Sequence, residues 1–316
     1  MEASSERPRI AAVVVTYNRC ERLEGCIEAL LHQERPLDEI LVIDNASTDN
    51  SREMLKEKFE GKITNIRMEE NLGGAYGFYE GIRLAYEKGH DWIWVMDDDV
   101  EPEPDALKAL IDSPAFSDPS VGYLGSLVVS PQWVPQLWMY CRFSMTLGRR
   151  RVIRKKDLKA PLLDIEGGSF VGSLFRREAI ETMGFPIKDF FIYWDDTEYT
   201  YRISTRYKTF LVPSSVIIHR NALGALPRRR LLGLWDISPG LPLEQAWRSY
   251  YLIRNGIYFR TRSGSPWFLP YILVASLARP LAVVIFLRNH KIKRCRVFWQ
   301  ATIDGIKGRL GKRMGP

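Results

Sequence analysis

The alternation of short apolar runs with helical patterns in the first hundred residues constrains the fold more than any other feature. Four runs are short, apolar and rich in β-branched or aromatic residues, which is typical of buried strands. They are Ile10–Val15, Ile40–Ile43, Ile63–Met68 and Trp92–Met96. Apolar residues recur at helical spacing between the runs. Strands that alternate with helices across short connections predict an α/β fold with a mostly parallel sheet flanked by helices.

The chain after residue 100 is less regular, but it still carries clear signals. Val121–Val129 and Lys208–His219 are predicted strands, and Gly167–Phe175 is a candidate strand beneath the site. Asp105–Ile111 is a predicted helix, and Arg149–Lys156 is a basic run expected in a solvated loop. We therefore expect the strands to continue to about residue 219.

Polar residues follow several of the predicted strands at the point where each strand ends. Thr16, Asp44, Asn71 and the run Asp97–Asp99 occupy these positions. Ligands of parallel α/β sheets bind at the carboxyl ends of the strands. This coincidence predicts a ligand site at that edge of the sheet.

The run Asp97-Asp98-Asp99 is the strongest chemical signal. Carboxylates at positions i and i+2 leave an extended strand on the same side and can share a divalent cation beyond its end. Mg²⁺ and Mn²⁺ prefer carboxylates together with phosphate oxygens. The alternative is a solvated acidic turn, but adjacent like charges at a buried strand end repel one another without a cation. We therefore expect a metal site here.

Three weaker motifs accompany this acidic run. The cluster Trp194–Glu198 contains carboxylates that suit a general base, or that complement the dipole of a helix N-terminus. His219 ends an apolar strand, where a lone histidine is more often structural than a ligand. The stretch Asn71–Ala75 contains two glycines that allow the backbone to approach a ligand, or that form a plain tight turn. The residues alone leave each pair of alternatives open.

The basic charge of the chain is concentrated near its end. The net charge is +7, yet Trp267–Pro316 alone carries ten Lys or Arg and a single acid, Asp304. The apolar stretch Pro266–Leu287 is long enough to cross a bilayer, but Arg279-Pro280 interrupts its middle. We favour two short helices lying in the membrane interface over a spanning helix or burial against the catalytic part. Basic residues interleaved with apolar ones favour anionic lipid over nucleic acid as the partner.

Cysteine usage and the N-terminal residues bear on the compartment. The four cysteines match no zinc spacing and no disulfide framework, which favours a reducing environment. Residues 1–9 are polar, and the following apolar run is too short for a signal peptide. The expected location is the cytoplasm, with the protein peripheral on the inner face of the cell membrane. We expect one α/β domain over residues 1–222 and a helical, basic, membrane-associating region over 223–316.

Five segments in order resemble the family 2 glycosyltransferases of the GT-A fold. They are Val13–Arg19, Val42–Asp49, Asn71–Ala75, Asp97–Asp99 and Trp194–Glu198. Each is weak to moderate by itself, but the ordered set is specific and extends over about the first 220 residues. The resemblance implies that residues 1–222 form a GT-A catalytic domain that uses a nucleotide-sugar donor and inverts the anomeric centre. It also implies a nucleotide-sugar-binding half to about residue 100 and an acceptor-binding half over about 101–222.

The resemblance also implies a role for each site residue. Asp97, Asp99 and His219 would hold Mn²⁺ or Mg²⁺, and Asp196 would be the catalytic base. Other residues would line the donor site: Thr16, Asn18, Arg19, Asp44, Asn71, Gly74, Arg83 and Asp98. Trp194, Asp195 and Glu198 would contact the acceptor.

Within the family, Asn71–Phe78, the triple Asp and the Trp-Asp-Asp-x-Glu form of the base motif resemble galactofuranosyltransferases. Tyr76 departs from the small residue that is common there, which puts the shape of the donor site in doubt. Tyr250–Asn255 and Asp304–Arg309 resemble enzymes that build lipid-linked bacterial polysaccharides. The resemblance thus implies transfer of galactofuranose from UDP-galactofuranose to a lipid-linked or polysaccharide acceptor.

Three alternatives accompany this interpretation. One is a rhamnosyltransferase that uses dTDP-rhamnose, and one is a non-catalytic membrane-bound scaffold, which would be expected to lose acids from its motifs. A sugar-phosphate nucleotidyltransferase would carry a glycine-rich loop after the first strand, and Thr16–Arg19 contains no glycine.

Overall fold

Strand β1, Ile10–Thr16, lies in a nine-stranded sheet, and every one of its residues is buried. Its parallel neighbours are β2 (Glu39–Asp44) and β4 (Trp92–Asp97), and β3 (Thr64–Arg67) pairs in parallel with β2. The four predicted strands are therefore present. A computed structural model describes residues 7–144, 149–220, 229–231, 235–237, 246–263, 270, 272 and 290–315.

Three helices connect these parallel strands: α1 (Cys20–Leu31), α2 (Ser51–Phe59) and α3 (Gly74–Glu87). Helix α3 packs closely on β1 because Gly81 has no side chain. A Cβ atom at this position would lie 2.2 Å from Cγ1 of Val13. The close packing fixes the N-terminus of α3 beside the carboxyl ends of the strands.

The second half of the sheet is mixed, which corrects the expectation of a mostly parallel sheet. Strand β10 (Ser173–Arg176) is antiparallel to both β4 and β6 (Val121–Val129). Strand β11 (Lys208–His219) is parallel to β6. Short strands β5 (Val100–Pro102) and β9 (Leu163–Asp164) run antiparallel to β11. Apolar periodicity identifies a strand but carries no information about its direction, so this half could not be assigned.

Three further helices belong to this part of the chain: α4 (Ala106–Ile111), α5 (Arg177–Met183) and α6 (Asp195–Ser204). Strands β7 (Cys141–Ser144) and β8 (Arg149–Val152) form a separate two-stranded ribbon. The loop expected over Arg149–Lys156 is therefore wrong for Arg149–Val152.

The chain forms two compact units. The first, the sheet unit, comprises Met1–Arg142, Arg151–Ile187 and Asp196–Ala222. The second, the helical unit, comprises Phe143–Arg150, Lys188–Asp195 and Leu223–Pro316. The sheet unit ends at Ala222, and no sequence pattern indicated that two earlier segments group with the helical unit.

Helices α7 (Ala246–Arg262) and α8 (Lys291–Lys307) form the core of the helical unit. These helices and the segment before α6 share one hydrophobic cluster of buried residues: Phe191, Tyr250, Tyr251, Ile257 and Ala301. Short strands β12 (Arg229–Leu231) and β13 (Trp235–Ile237) form an antiparallel pair. The stretch predicted as interfacial, Pro266–Leu287, lies outside the described residues except for Pro270 and Ile272. No helix in the described ranges is long and apolar enough to cross a bilayer.

Candidate active site

The carboxyl ends of β1 and β4 lie side by side, with Val15 in register with Asp97. This register brings Thr16 to the acidic run, where its hydroxyl donates a hydrogen bond of 2.7 Å to Oδ2 of Asp98. Both side chains are buried. Two residues that are far apart in the sequence are therefore in direct contact at this edge of the sheet.

Arg19 and His219 complete this cluster of side chains. The guanidinium of Arg19 contacts Oδ1 of Asp98 at 3.3 Å and also donates to Oδ2 of Asp99. Nε2 of His219, at the end of β11, lies 3.1 Å from Oδ1 of Asp99. The structure thus brings together Thr16, Arg19 and His219 around the acids, and we call these residues with Asp97–Asp99 the acidic cluster.

The electrostatics of the acidic cluster favour a cation. Burial raises the pKa of Asp98 to about 6, and the neighbouring charge of Asp99 acts in the same direction. The hydrogen bond from Thr16 and the charge of Arg19 oppose this increase but do not cancel it. Because crowded carboxylates repel one another, additional positive charge beside them would lower their pKa values and stabilise the site.

The side chains present suit a hard divalent cation by their chemistry. Aspartate oxygens and an imidazole nitrogen are ligands that Mn²⁺ accepts, and two of the three predicted ligands, Asp99 and His219, are already in contact. Nδ1 of His219 has no hydrogen-bond partner among the described residues. In that part of the chain, however, no three His, Cys, Asp or Glu side chains form a preassembled metal site. The donor set therefore fits a cation, while its assembly is incomplete.

The loops that follow β1 and β2 are tied together by short polar contacts. Oδ1 of Asn18 accepts a hydrogen bond of 2.6 Å from the backbone N–H of Thr48. Asn18 has a left-handed backbone with φ of 54°, and its own N–H donates to Oγ of Ser47 at 3.0 Å. Asp44 is completely buried and accepts from the N–H of Ser47 at 2.8 Å. These contacts fix the two loops on which predicted donor-site residues lie.

Two predicted parts of the donor site lie at different positions along α3. They are the glycine-containing loop before this helix and Arg83. Oδ1 of Asn71 accepts the N–H of Gly73 at 2.8 Å, which orders the loop directly before Gly74. Arg83 forms ion pairs with Glu80 and Glu87 on its own helix. Since a helix rises about 1.5 Å per residue, Arg83 lies about 13 Å along α3 from Gly74. Arg83 therefore pairs with acids of its own helix, and the structure does not bring it to the acidic cluster.

The second acidic motif begins helix α6. Asp195 and Asp196 lie in its first turn, where negative charge complements the helix dipole. The carboxylate of Asp196 accepts the backbone N–H of Thr197. Glu198 is bound by the guanidinium of Arg202 at 2.8 Å, which gives Glu198 a structural partner.

Two arginines near the site were not identified from the sequence. Nη1 of Arg67 donates to Oδ2 of Asp44 at 2.6 Å, and Nη2 donates to the carbonyl of Ser47 at 2.8 Å. Arg67 is in register with Asp44 across β2 and β3, so pairing the two predicted strands would have located it. The backbone N–H of Arg220 donates to the carbonyl of Asp99 at 2.9 Å. No sequence pattern marks that contact.

A comparison with known protein families identifies the family to which a chain with this site is similar. The model described as "Glycosyl transferase family 2" matches residues 11–184, which is more than half of the chain. The chain belongs to glycosyl transferase family 2. Membership of family 2 confirms the resemblance that was carried by the five ordered motifs.

Two family 2 relatives show how far the similarity extends. The galactofuranosyltransferase GlfT1 of Mycolicibacterium smegmatis is 29% identical over 192 residues, or 60% of this chain and 63% of that enzyme. The chain therefore spans less than two thirds of the length of this relative. The dTDP-rhamnosyl transferase RfbF of Shigella flexneri is 24% identical over 307 residues, or 96% of this chain and 97% of that protein.

A solved structure supports the fold. The mannosyltransferase PcManGT of Pyrobaculum calidifontis, in complex with GDP-Man and Mn²⁺, superposes with a TM-score of 0.53. The two chains are 18% identical, and the match covers 96% of this chain and 76% of the other. This similarity establishes the GT-A-like mixed sheet with its flanking helices as the shared architecture.

Proposed function

We propose that this chain is an inverting, metal-dependent glycosyltransferase that transfers a sugar from a nucleotide-sugar donor. The observation that carries the proposal is the acidic cluster at the carboxyl ends of β1 and β4 in a family 2 chain. Thr16, Arg19 and His219 converge there on Asp98 and Asp99, and all of them lie where α/β sheets bind ligands.

Asp97, Asp99 and His219 would hold Mn²⁺ or Mg²⁺. Held by these residues, the cation would supply positive charge against the negative charge of the donor diphosphate. Thr16 fixes the carboxylate of Asp98 by its hydrogen bond of 2.7 Å. Asn18, Asp44 and the loop at Asn71–Gly74 are proposed to line the donor site, because they lie in the ordered loops at the same edge.

Asp196 is the proposed base of a single displacement. Its carboxylate takes the proton of an acceptor hydroxyl while that oxygen forms a bond to the anomeric carbon. The bond from this carbon to the diphosphate oxygen breaks, and the nucleoside diphosphate leaves with the bonding pair. One displacement inverts the anomeric centre. The backbone N–H of Thr197 donates a hydrogen bond to Asp196 and orients its carboxylate.

UDP-galactofuranose is the proposed donor. The similarity to the galactofuranosyltransferase GlfT1 supports it, and so does the sequence Asn71–Phe78. A rhamnosyltransferase that uses dTDP-rhamnose is the second candidate, because the similarity to RfbF extends over nearly the whole chain. The two candidates share the mechanism and differ in the donor.

Helix α8 supports association with a membrane surface, where a lipid-linked acceptor would be located. Ile292, Trp299, Ile303 and Ile306 recur at helical spacing and are all exposed; the exposed fraction of Ile292 is 87%. Basic residues are interleaved with this apolar stripe: Lys293, Arg296 and Lys307. An apolar stripe flanked by positive charge suits the interface of an anionic bilayer. We propose that the protein acts from the cytoplasmic face.

The deciding experiment is donor binding and hydrolysis across UDP-galactofuranose, UDP-galactose, UDP-glucose and dTDP-rhamnose, each with and without Mn²⁺. Metal-dependent preference for UDP-galactofuranose supports the proposal in full. Preference for dTDP-rhamnose keeps the mechanism and replaces the donor. If no donor binds in a metal-dependent way, the metal site and the function fail together, and a non-catalytic scaffold becomes the better interpretation.

A further inference from the structure

The segment that leads into Asp195-Asp196 has an unusual backbone. Phe191, Tyr193 and Trp194 adopt left-handed conformations, with φ of 66°, 68° and 71°. Such conformations are costly for residues other than glycine, and bulky side chains rarely adopt them. They persist only where the surrounding structure holds them in place, and they cluster at functional sites. We call residues 189–194 the aromatic segment.

Asn255 on α7 holds the aromatic segment by hydrogen bonds to its backbone. Its side-chain amide nitrogen lies 2.9 Å from each of three backbone carbonyls, those of Phe190, Ile192 and Tyr193. Its amide oxygen accepts a hydrogen bond of 2.8 Å from Nε of Arg254. Asn255 is completely buried, so its amide depends on these protein partners for its hydrogen bonds.

Arg254, the residue before Asn255 on α7, also binds backbone carbonyls of the aromatic segment. Its guanidinium is completely buried and donates to the carbonyls of Phe190 at 3.0 Å and Asp189 at 3.2 Å. It also donates to the carbonyl of Gly311 at 2.6 Å and lies 4.8 Å from the centroid of the Tyr251 ring. Burying a cation among neutral carbonyls is expensive, and buried charges are retained in some proteins because they specify one conformation. Here the conformation specified is that of the aromatic segment.

Trp194, the last residue of the segment, is held on the same face of α7. Its indole N–H donates to the carbonyl of Leu252 at 3.0 Å, and its ring stacks on Phe259 with centroids 5.5 Å apart. Gly256 allows this approach, since a Cβ atom there would lie 2.9 Å from Cε2 of Trp194. Residues 252, 255, 256 and 259 follow helical spacing, so one face of α7 receives the whole segment.

We propose that Asn255, supported by Arg254, is a positioning residue for the base-bearing turn of α6. It acts through the backbone of the aromatic segment, which continues directly into Asp195 and Asp196. The inference rests on the proposed function, because it assigns a use to the carboxylate of Asp196. Base catalysis is sensitive to displacements of about 1 Å, which can reduce the rate by about 100-fold.

Asn255→Asp is the sharpest test. The substitution keeps the shape of the side chain and the acceptor for Arg254 but removes the N–H donors to the three carbonyls. With the donor and Mn²⁺ selected by the panel above, we expect kcat to fall about 10- to 100-fold. We expect the donor KM to change by less than about twofold, because the donor site lies at the strand ends. An unchanged kcat in a folded variant, or an equal loss of donor binding, would overturn the proposal.

Two further variants and one physical measurement keep the test independent of folding and of the donor. Gly256→Ala displaces Trp194 but leaves the Asn255 contacts, so a smaller fall in kcat is expected. Leu252→Ala is the control, because this side chain is exposed and its backbone carbonyl binds Trp194.

Hydrogen exchange of the backbone amides of residues 190–196 should accelerate in Asn255→Asp, while exchange of the amides of α5 stays unchanged. If wild-type protein uses no donor, the proposed function fails, and unchanged exchange would separately overturn the positioning role.

Discussion

Nε2 of His219 lies 3.1 Å from Oδ1 of Asp99, so the end of β11 meets the run that follows β4. The contact joins an element near the end of the sheet unit to one near its middle. A histidine that ends an apolar strand is more often structural, but this one faces a carboxylate at the predicted metal site. That relationship gives His219 a testable role.

His219→Gln should weaken metal activation. The amide cannot replace the imidazole nitrogen, so we expect the Mn²⁺ concentration for half-maximal activity to rise about 10-fold or more, as found when metal-site partners are removed. The measurement is a Mn²⁺ titration of donor hydrolysis. His32→Gln is the matched control, because the side chain of His32 is exposed and lies 2.7 Å from the carbonyl oxygen of Glu28 on its own helix turn, away from the acidic cluster. Equal Mn²⁺ dependence in both variants would exclude His219 as a ligand.

Arg19→Gln should increase the affinity of the protein for Mn²⁺ in the absence of donor. Arg19 contacts both Asp98 and Asp99, so its positive charge competes with a divalent cation for the same carboxylates. We expect Mn²⁺ to bind several-fold more tightly, measured by calorimetry. Donor KM should rise in the same variant if Arg19 binds the donor. Weaker Mn²⁺ binding would show that Arg19 arranges the acids for the metal.

Asp196→Asn should abolish transfer while donor affinity stays largely intact. The amide cannot accept the proton of the acceptor hydroxyl, so kcat should fall by about 100-fold or more. Glu178→Gln is the control, since Glu178 is also an acid in the first turn of a helix, α5. Equal loss of donor binding in Asp196→Asn would assign Asp196 to the structure or to the metal.

Glu39→Gln tests an electrostatic contact away from the site. Burial alone raises the pKa of Glu39, but hydrogen bonds from Lys88, His90 and Thr64 outweigh it and lower the pKa to about 2 from its ordinary 4.5. A carboxylate with a lowered folded-state pKa stabilises the fold above its unfolded pKa, and this contribution is lost as the pH falls through the folded value. The variant should therefore be destabilised at pH 7 by on the order of 1 kcal/mol, because solvent screens part of the interaction at this partly exposed site.

The difference in unfolding free energy between Glu39→Gln and wild type should shrink as the pH is lowered from 4.5 toward 2. Urea unfolding at several pH values measures it. Glu57→Gln, at an exposed position of α2, should show no comparable difference. A difference for Glu39→Gln that does not vary with pH would contradict the ionic origin.

Trp299→Glu should reduce binding of the full chain to vesicles that contain anionic lipid. It removes one anchor from the exposed stripe of α8 and adds a negative charge there. Because burial of one large apolar side chain contributes about 1.5–3 kcal/mol, we expect binding to weaken by about 10-fold or more. Gln300→Glu adds the same charge beside the stripe and should have a smaller effect. Equal effects of the two variants would show that the added charge alone weakens binding, and that Trp299 is not an apolar anchor.

The sequence predicted the parallel half of the sheet because β1, β2 and β4 are short, apolar and bounded by polar residues. It did not predict the antiparallel direction of β10, because direction depends on how the chain returns to the sheet. The convergence of Thr16 with the Asp97–Asp99 run followed from a general property of such sheets. Polar residues at the ends of neighbouring strands meet at one edge.

The partners of the site residues could not be predicted in the same way. The contact of Arg19 with Asp98 and Asp99 depends on the conformation of a loop, which no periodicity describes. The buried position of Arg254 also had no signal, because an arginine in an amphipathic helix is normally expected at the surface. Both contacts depend on side chains meeting between elements that are distant in the sequence.

The contact between Arg254 and the carbonyl of Gly311 has a consequence for synthesis of the protein. The backbone N–H of Gly311 donates in turn to the carbonyl of Asp189, and the Tyr251 hydroxyl bonds to the backbone of Met314. Domains generally fold from the N-terminal side as the chain is made. The strands of β1–β4 are complete long before residues 311–314 leave the ribosome. The turn that bears Asp196 therefore reaches its final form late, and a nascent chain would complete its proposed donor-binding edge before its proposed base is in position.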